Sequence, residues 1–105
     1  MGIRRACSYQ AVIRTPKAPE NYSAMLFTIK QDGEILVSKD ISELEIDEKF
    51  VYANLTQEET ALFVDGICAQ MQLRVYASAT DAPGSPVWQV PVWPSLDDQI
   101  LPGGE

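Results

Sequence analysis

Between Cys68 and Ser78 the chain alternates apolar and polar residues without a break. Ala69, Met71, Leu73, Val75 and Ala77 fall on one parity, and Gln70, Gln72, Arg74, Tyr76 and Ser78 on the other. Successive side chains of a β-strand point to opposite faces, so a period of two marks a strand with one buried face. A helix needs apolar residues three and four positions apart, and this run does not supply them.

The same period recurs along the chain. Asp32-Gly33 suits a two-residue hairpin turn, because both central positions of a type I′ turn need positive φ. Before it, Met25, Phe27 and Ile29 alternate with Leu26, Thr28 and Lys30, which predicts a strand over 23–31; after it, Ile35, Leu36 and Val37 predict a strand over 34–39. Upstream, Tyr9, Ala11 and Ile13 share one face of a strand over 8–15, and Pro16 and Pro19 then require a connection. Downstream, Leu44 and Ile46 alternate with Glu43, Glu45 and Asp47 in a short strand, and Val51, Ala53 and Leu55 form one face of another over 50–55. Thr56-Gln57-Glu58-Glu59 matches a capping box, in which the threonine hydroxyl and the glutamate carboxylate satisfy each other's backbone amides at the start of a helical turn. Leu62 and Phe63 are expected to enter the core before Asp65-Gly66 ends that turn.

The stretch 81–86, Asp-Ala-Pro-Gly-Ser-Pro, predicts a loop. A last strand over 87–93 carries Trp88, Val90 and Val92 on one face, and Pro91 makes it an edge strand or one that ends early. The fold expected from these seven short strands is all-β: an antiparallel, immunoglobulin-like β-sandwich with one short helical turn near 56–63, a small barrel being the alternative. The Cys–Trp–Cys spacing of antibody domains is absent. At 105 residues the chain is read as a single domain over 1–105, compact over about 7–93, with 94–105 an extended or flexible tail. A chain of this mass buries roughly 65% of its extended surface, enough for a core without metal or disulfide.

Charge and residue types narrow the function. The net charge of −7 repels phosphate, which argues against nucleic acid and anionic membrane surfaces as partners. Four of the eight basic residues, Arg4, Arg5, Arg14 and Lys17, lie in the first seventeen positions, and the reading adopted for that arm is a solvated terminus. The chain has no histidine, which removes most zinc sites, histidine-based triads and the usual general base at neutral pH. No nucleophile elbow, phosphate loop or dinucleotide glycine motif is present, so no catalytic residue, cofactor, metal or small-molecule substrate is expected. Five carboxylates between Asp40 and Glu48 are read as the solvated face of a strand rather than a calcium site. Cys7 and Cys68 are expected as free thiols in apolar surroundings, and the two glycosylation sequons, at Asn21 and Asn54, as chance matches. No signal peptide or apolar run of membrane-spanning length is read, so the chain is expected to be kept in a cytosol or assembled there into something larger.

Trp88 and Trp93 flank Pro91 on opposite parity, so a regular strand would bury one and expose the other. Exposed tryptophan is enriched at protein interfaces, and Trp88, Val90 and Trp93 form the candidate interface, the equal reading being two tryptophans that pack against their own loops. Three segments also carry a family likeness: Leu55-Thr56-Gln57-Glu58-Glu59-Thr60, Gln70-Met71-Gln72-Leu73-Arg74 and Phe27-Thr28-Ile29-Lys30-Gln31. Together, over about 22–92, they resemble small phage and prophage tail-associated proteins of Gram-positive bacteria and the N-terminal sandwich domain of phage baseplate upper proteins. The resemblance implies a non-enzymatic virion or assembly protein whose partners are other phage structural proteins or further copies of itself. The alternative reading is a carbohydrate- or surface-binding sandwich module with one tryptophan stacking on a sugar.

Overall fold

The computed structural model describes residues 2–97 and 99–102. Nine strands and one short α-helix follow in order: β1 (Ile3–Arg4), β2 (Tyr9–Arg14), β3 (Ala24–Gln31), β4 (Glu34–Asp40), β5 (Glu45–Ile46), β6 (Phe50–Leu55), α1 (Gln57–Thr60), β7 (Ala69–Tyr76), β8 (Trp88–Val90) and β9 (Val92–Trp93). One sheet has the order β2-β6-β5, the second β4-β3-β7-β8, and every pair within both is antiparallel. In immunoglobulin lettering these are strands B, E and D against C′, C, F and G. A third, two-stranded element joins β1 and β9 in parallel. The fold is an immunoglobulin-like β-sandwich.

The alternation in the sequence sets which faces meet. Ala11 and Ile13 of β2 and Val51, Ala53 and Leu55 of β6 are buried against Met25, Phe27 and Ile29 of β3 and Met71, Leu73 and Val75 of β7. Phe27 and Ile29 are fully buried, and each large apolar side chain removed from water contributes about 1.5–3 kcal/mol. The hairpin between β3 and β4 turns at Asp32 and Gly33, with φ of 53° and 80°. Ile29 faces Val37 while Lys30 faces Ile35, which leaves Leu36 as a bulged residue in β4.

Several expectations are corrected. The N-terminal arm is not a solvated terminus: Ile3 is fully buried, because β1 finds backbone partners in β9 and its side chain enters the core. The compact part therefore includes residues ahead of Cys7. The short strand over Leu44 and Ile46 shrinks to Glu45–Ile46, and Ile46 is exposed. Asp40 and Glu43 form a second capping box there, around a 3-10 turn over Ile41–Glu43, which diverts the chain before pairing resumes. The stretch 81–86 is a loop only in part, since Ser85 donates its amide to Leu73 and Pro83 accepts from Val75 along β7. Leu62 is exposed while Phe63 is buried.

The crossover from β6 to β7 is built from polar bonds. The Thr56–Glu59 capping box forms as the sequence predicts. Thr60, fully buried, donates its hydroxyl to the Cys7 carbonyl at 2.8 Å and accepts from the Cys7 amide at 3.1 Å. Lys39, almost fully buried, reaches Glu59 at 2.9 Å. The buried Gln31 amide donates to the Val64 and Ile67 carbonyls and accepts from the Val64 amide.

Candidate interaction surface

Proline 91 breaks the last strand in two, because it has no amide to continue a ladder. Ahead of it, β8 pairs with β7, matching Met71 to Trp88 and Ala69 to Val90. Behind it, β9 pairs with β1. Ile3 donates to the Pro91 carbonyl at 2.9 Å and Arg5 to the Trp93 carbonyl at 3.0 Å. Gly2 allows this approach: a Cβ there would lie 2.9 Å from the Pro91 carbonyl and from the Trp93 ring.

The three candidate residues occupy different environments. Trp93 is exposed, but the Arg4 guanidinium lies 5.4 Å from its ring centroid and donates to the Pro94 carbonyl at 2.7 Å. A cation over an indole face is a favourable pairing, so the chain's own arginine covers part of this tryptophan. Val90 is 2% exposed and belongs to the core. As a side chain it is removed from the candidate interface, because β8 turns it inward between the two sheets. Trp88 is half-buried, and it lines an open groove of about 290 Å³ together with Val12, Ile13, Met71 and Gln89. A smaller hollow bounded by Arg14, Leu73, Pro83 and Trp88 continues that groove.

This groove separates the outer edges of β2 and β8, which end the two sheets on the same side of the sandwich. Immunoglobulin domains place strand A beside strand B. Here, among the described residues, no strand and no backbone hydrogen bond reaches the outer edge of β2 or of β8. β1 covers the same side only opposite Val92–Trp93. Val87, 53% exposed, and Val12, 52% exposed, add apolar surface, and 87–90 contains no charged residue to deter pairing. Sequence periodicity identifies the edge but not the groove, because Val12 lies on the parity that a strand exposes. Only the topology brings it beside Trp88.

The carboxylates do local structural work. Asp40 accepts from the Ser42 hydroxyl and amide, which holds its carboxyl below the usual range. Asp47 accepts from the Tyr52 hydroxyl and from the amides of Lys49 and Phe50, which lowers its pKa and raises that of Tyr52. Burial pushes Glu59 up, but the Thr56 amide and Lys39 outweigh it and leave it lowered. Among the described residues no group of three or more candidate side chains could hold a metal ion. Cys7 and Cys68 are free, and both are exposed rather than set in apolar surroundings. Cys7 Sγ lies 3.8 Å from the Ser95 hydroxyl.

No protein-family model matches the chain, and no curated protein matches it. Among solved structures it is similar to the immunoglobulin-like domain of mouse leukocyte-associated immunoglobulin-like receptor 1, solved as a strand-swapped dimer. The TM-score is 0.53 at 12% identity, over 88% of this chain and 85% of that one. At that identity the likeness concerns the fold, and it agrees with the strand order described above.

Proposed function

We propose that this protein is a non-enzymatic assembly module that acts through protein–protein contacts, as a tail- or baseplate-associated component of a phage or prophage. The observation that carries the contact part of the reading is the edge of β8, unpaired among the described residues, above its apolar groove. An open sheet edge offers a row of backbone donors and acceptors to another strand, and alternate side chains of that strand can fill pockets beside it. The mouse receptor domain of similar fold, a strand-swapped dimer, associates through its strands. The phage setting rests on the sequence resemblance over about 22–92.

The sugar-binding alternative draws less support, since Trp93 already carries the Arg4 guanidinium and Trp88 is half-buried. The test is capture. The full chain is co-expressed with the products of its neighbouring genes, with Gln89→Lys placed on the exposed edge as a control. Retention of a tail component by the wild type and its loss in the variant supports the reading. Capture of no structural protein, together with quenching of tryptophan fluorescence by a glycan, would replace it with the sugar-binding one.

A further inference from the structure

The two flanks of the sandwich differ in charge. On one flank lie β1, β2, β8 and β9, whose residues include Arg4 and Arg14 and no acidic residue. Arg14 is exposed, forms no ion pair among the described residues, and borders the groove beneath Trp88. On the opposite flank lie the other two sheet edges, β4 and β5. From Glu34 to Lys49 that flank carries Glu34, Asp40, Glu43, Glu45, Asp47 and Glu48 against Lys39 and Lys49, and Lys39 is turned inward to Glu59. Both flanks expose β-branched residues: Val12 and Val87 on the first, Ile35 and Ile46 on the second.

The topology adds a geometric condition. The four-stranded sheet is antiparallel throughout, in the order β4-β3-β7-β8, so its two edge strands run in opposite directions. Two copies in the same orientation, placed side by side, therefore bring β8 of one next to β4 of the other as an antiparallel pair. Among the described residues, neither outer edge has a backbone partner.

We infer that copies of this chain associate head to tail, the basic, apolar β2–β8 flank of one seated on the acidic β4–β5 flank of the next. This deepens the assembly reading and rests on it, by naming the partner as a second copy. Such an interface is heterologous: the surfaces differ, one of each stays free at the ends, and the series closes into a ring or continues as a filament. A two-fold contact of β8 on β8 would instead bring Arg14 towards its own copy. The complementary charges favour the head-to-tail arrangement, and salt weakens it.

The experiment is a charge exchange on exposed positions. One variant carries Arg14→Glu with Gln89→Glu, making the first flank acidic. The other carries Ile35→Lys with Glu45→Lys, cancelling most of the acidic excess of the second flank. Circular dichroism and thermal midpoints verify that each folds, and sedimentation velocity up to about 1 mM, the concentration of a weak contact, reads association. The wild type is expected to associate, more weakly at high salt. Each variant alone is expected to lose at least tenfold in affinity, and an equal mixture to regain it. A two-fold β8 contact would leave the second variant associating like the wild type, and that result overturns the proposal. A wild type that stays monomeric also overturns it; if the same protein still captures a tail component, the assembly reading survives without self-association.

Discussion

Thr60 fastens the N-terminal arm to the crossover, and its substitution has a magnitude that can be worked out. Its single hydroxyl proton is donated to the Cys7 carbonyl at 2.8 Å, with the Gln57 carbonyl at 3.1 Å as the alternative acceptor, and its oxygen accepts from the Cys7 amide. Thr60→Val keeps the shape and removes these bonds. The Cys7 amide retains its bond to the Arg4 carbonyl at 3.2 Å, so the Cys7 carbonyl bears most of the loss. An unsatisfied buried acceptor costs about 1–3 kcal/mol, and the weakened amide adds a fraction, for a total of about 2 kcal/mol. Thr60→Ser keeps the hydroxyl and gives up one methyl, about 1 kcal/mol. In a domain of this size 1 kcal/mol moves Tm by about 4–8 °C. Valine is therefore expected to lower Tm by about 10 °C, and serine by roughly half as much. Urea denaturation followed by tryptophan fluorescence measures both. If the valine variant equals or exceeds the serine variant in stability, packing rather than hydrogen bonding holds this joint, and the reasoning fails.

Gly2→Val places side-chain atoms against the Pro91 carbonyl and the Trp93 ring, so it should unseat β1 and strip the Arg4 cover from the already exposed Trp93; a further red shift in emission reports this, and unchanged emission refutes it. Gln31→Leu strips the partners from Val64 and Ile67 and should cost about 2–3 kcal/mol, read by denaturation together with faster amide exchange over 62–67. Asp40, Asp47 and Glu59 have lowered pKa values, so the stability they lend is present above the unfolded carboxylate range and is lost as pH falls through their folded values. Tyr52, raised by Asp47, loses its contribution as pH climbs above the ordinary tyrosine value. Asp47→Asn should flatten both arms of the stability–pH profile, and an unaltered profile would show that the Asp47–Tyr52 contact adds nothing.

The strands were legible wherever one face is buried over several residues, as in β2, β3, β6 and β7, since alternation and burial are then the same fact. The hairpin turn and the Thr56 capping box were legible because their chemistry is local. β1 was not: two residues carry no period, and Ile3 becomes a core residue only through a partner about ninety positions away. The acidic segment misled for a similar reason. Leu44 and Ile46 share a parity, but the second capping box, at Asp40 and Glu43, turns the chain so that Leu44 is buried and Ile46 is not. At the candidate interface, parity separated Trp88 from Trp93 but could not foresee Arg4 over the second ring, or Val12 facing the first across the groove. Both depend on which strands the topology leaves at the edges.

If the edges of β8 and β4 meet between copies, amide hydrogen exchange compared between dilute and concentrated protein detects the contact at both edges. Protection is expected to rise together over 87–90 and 34–40 on concentration, while β3, already paired on both sides, stays unchanged. Protection rising over 87–90 alone, or over neither segment, would contradict it.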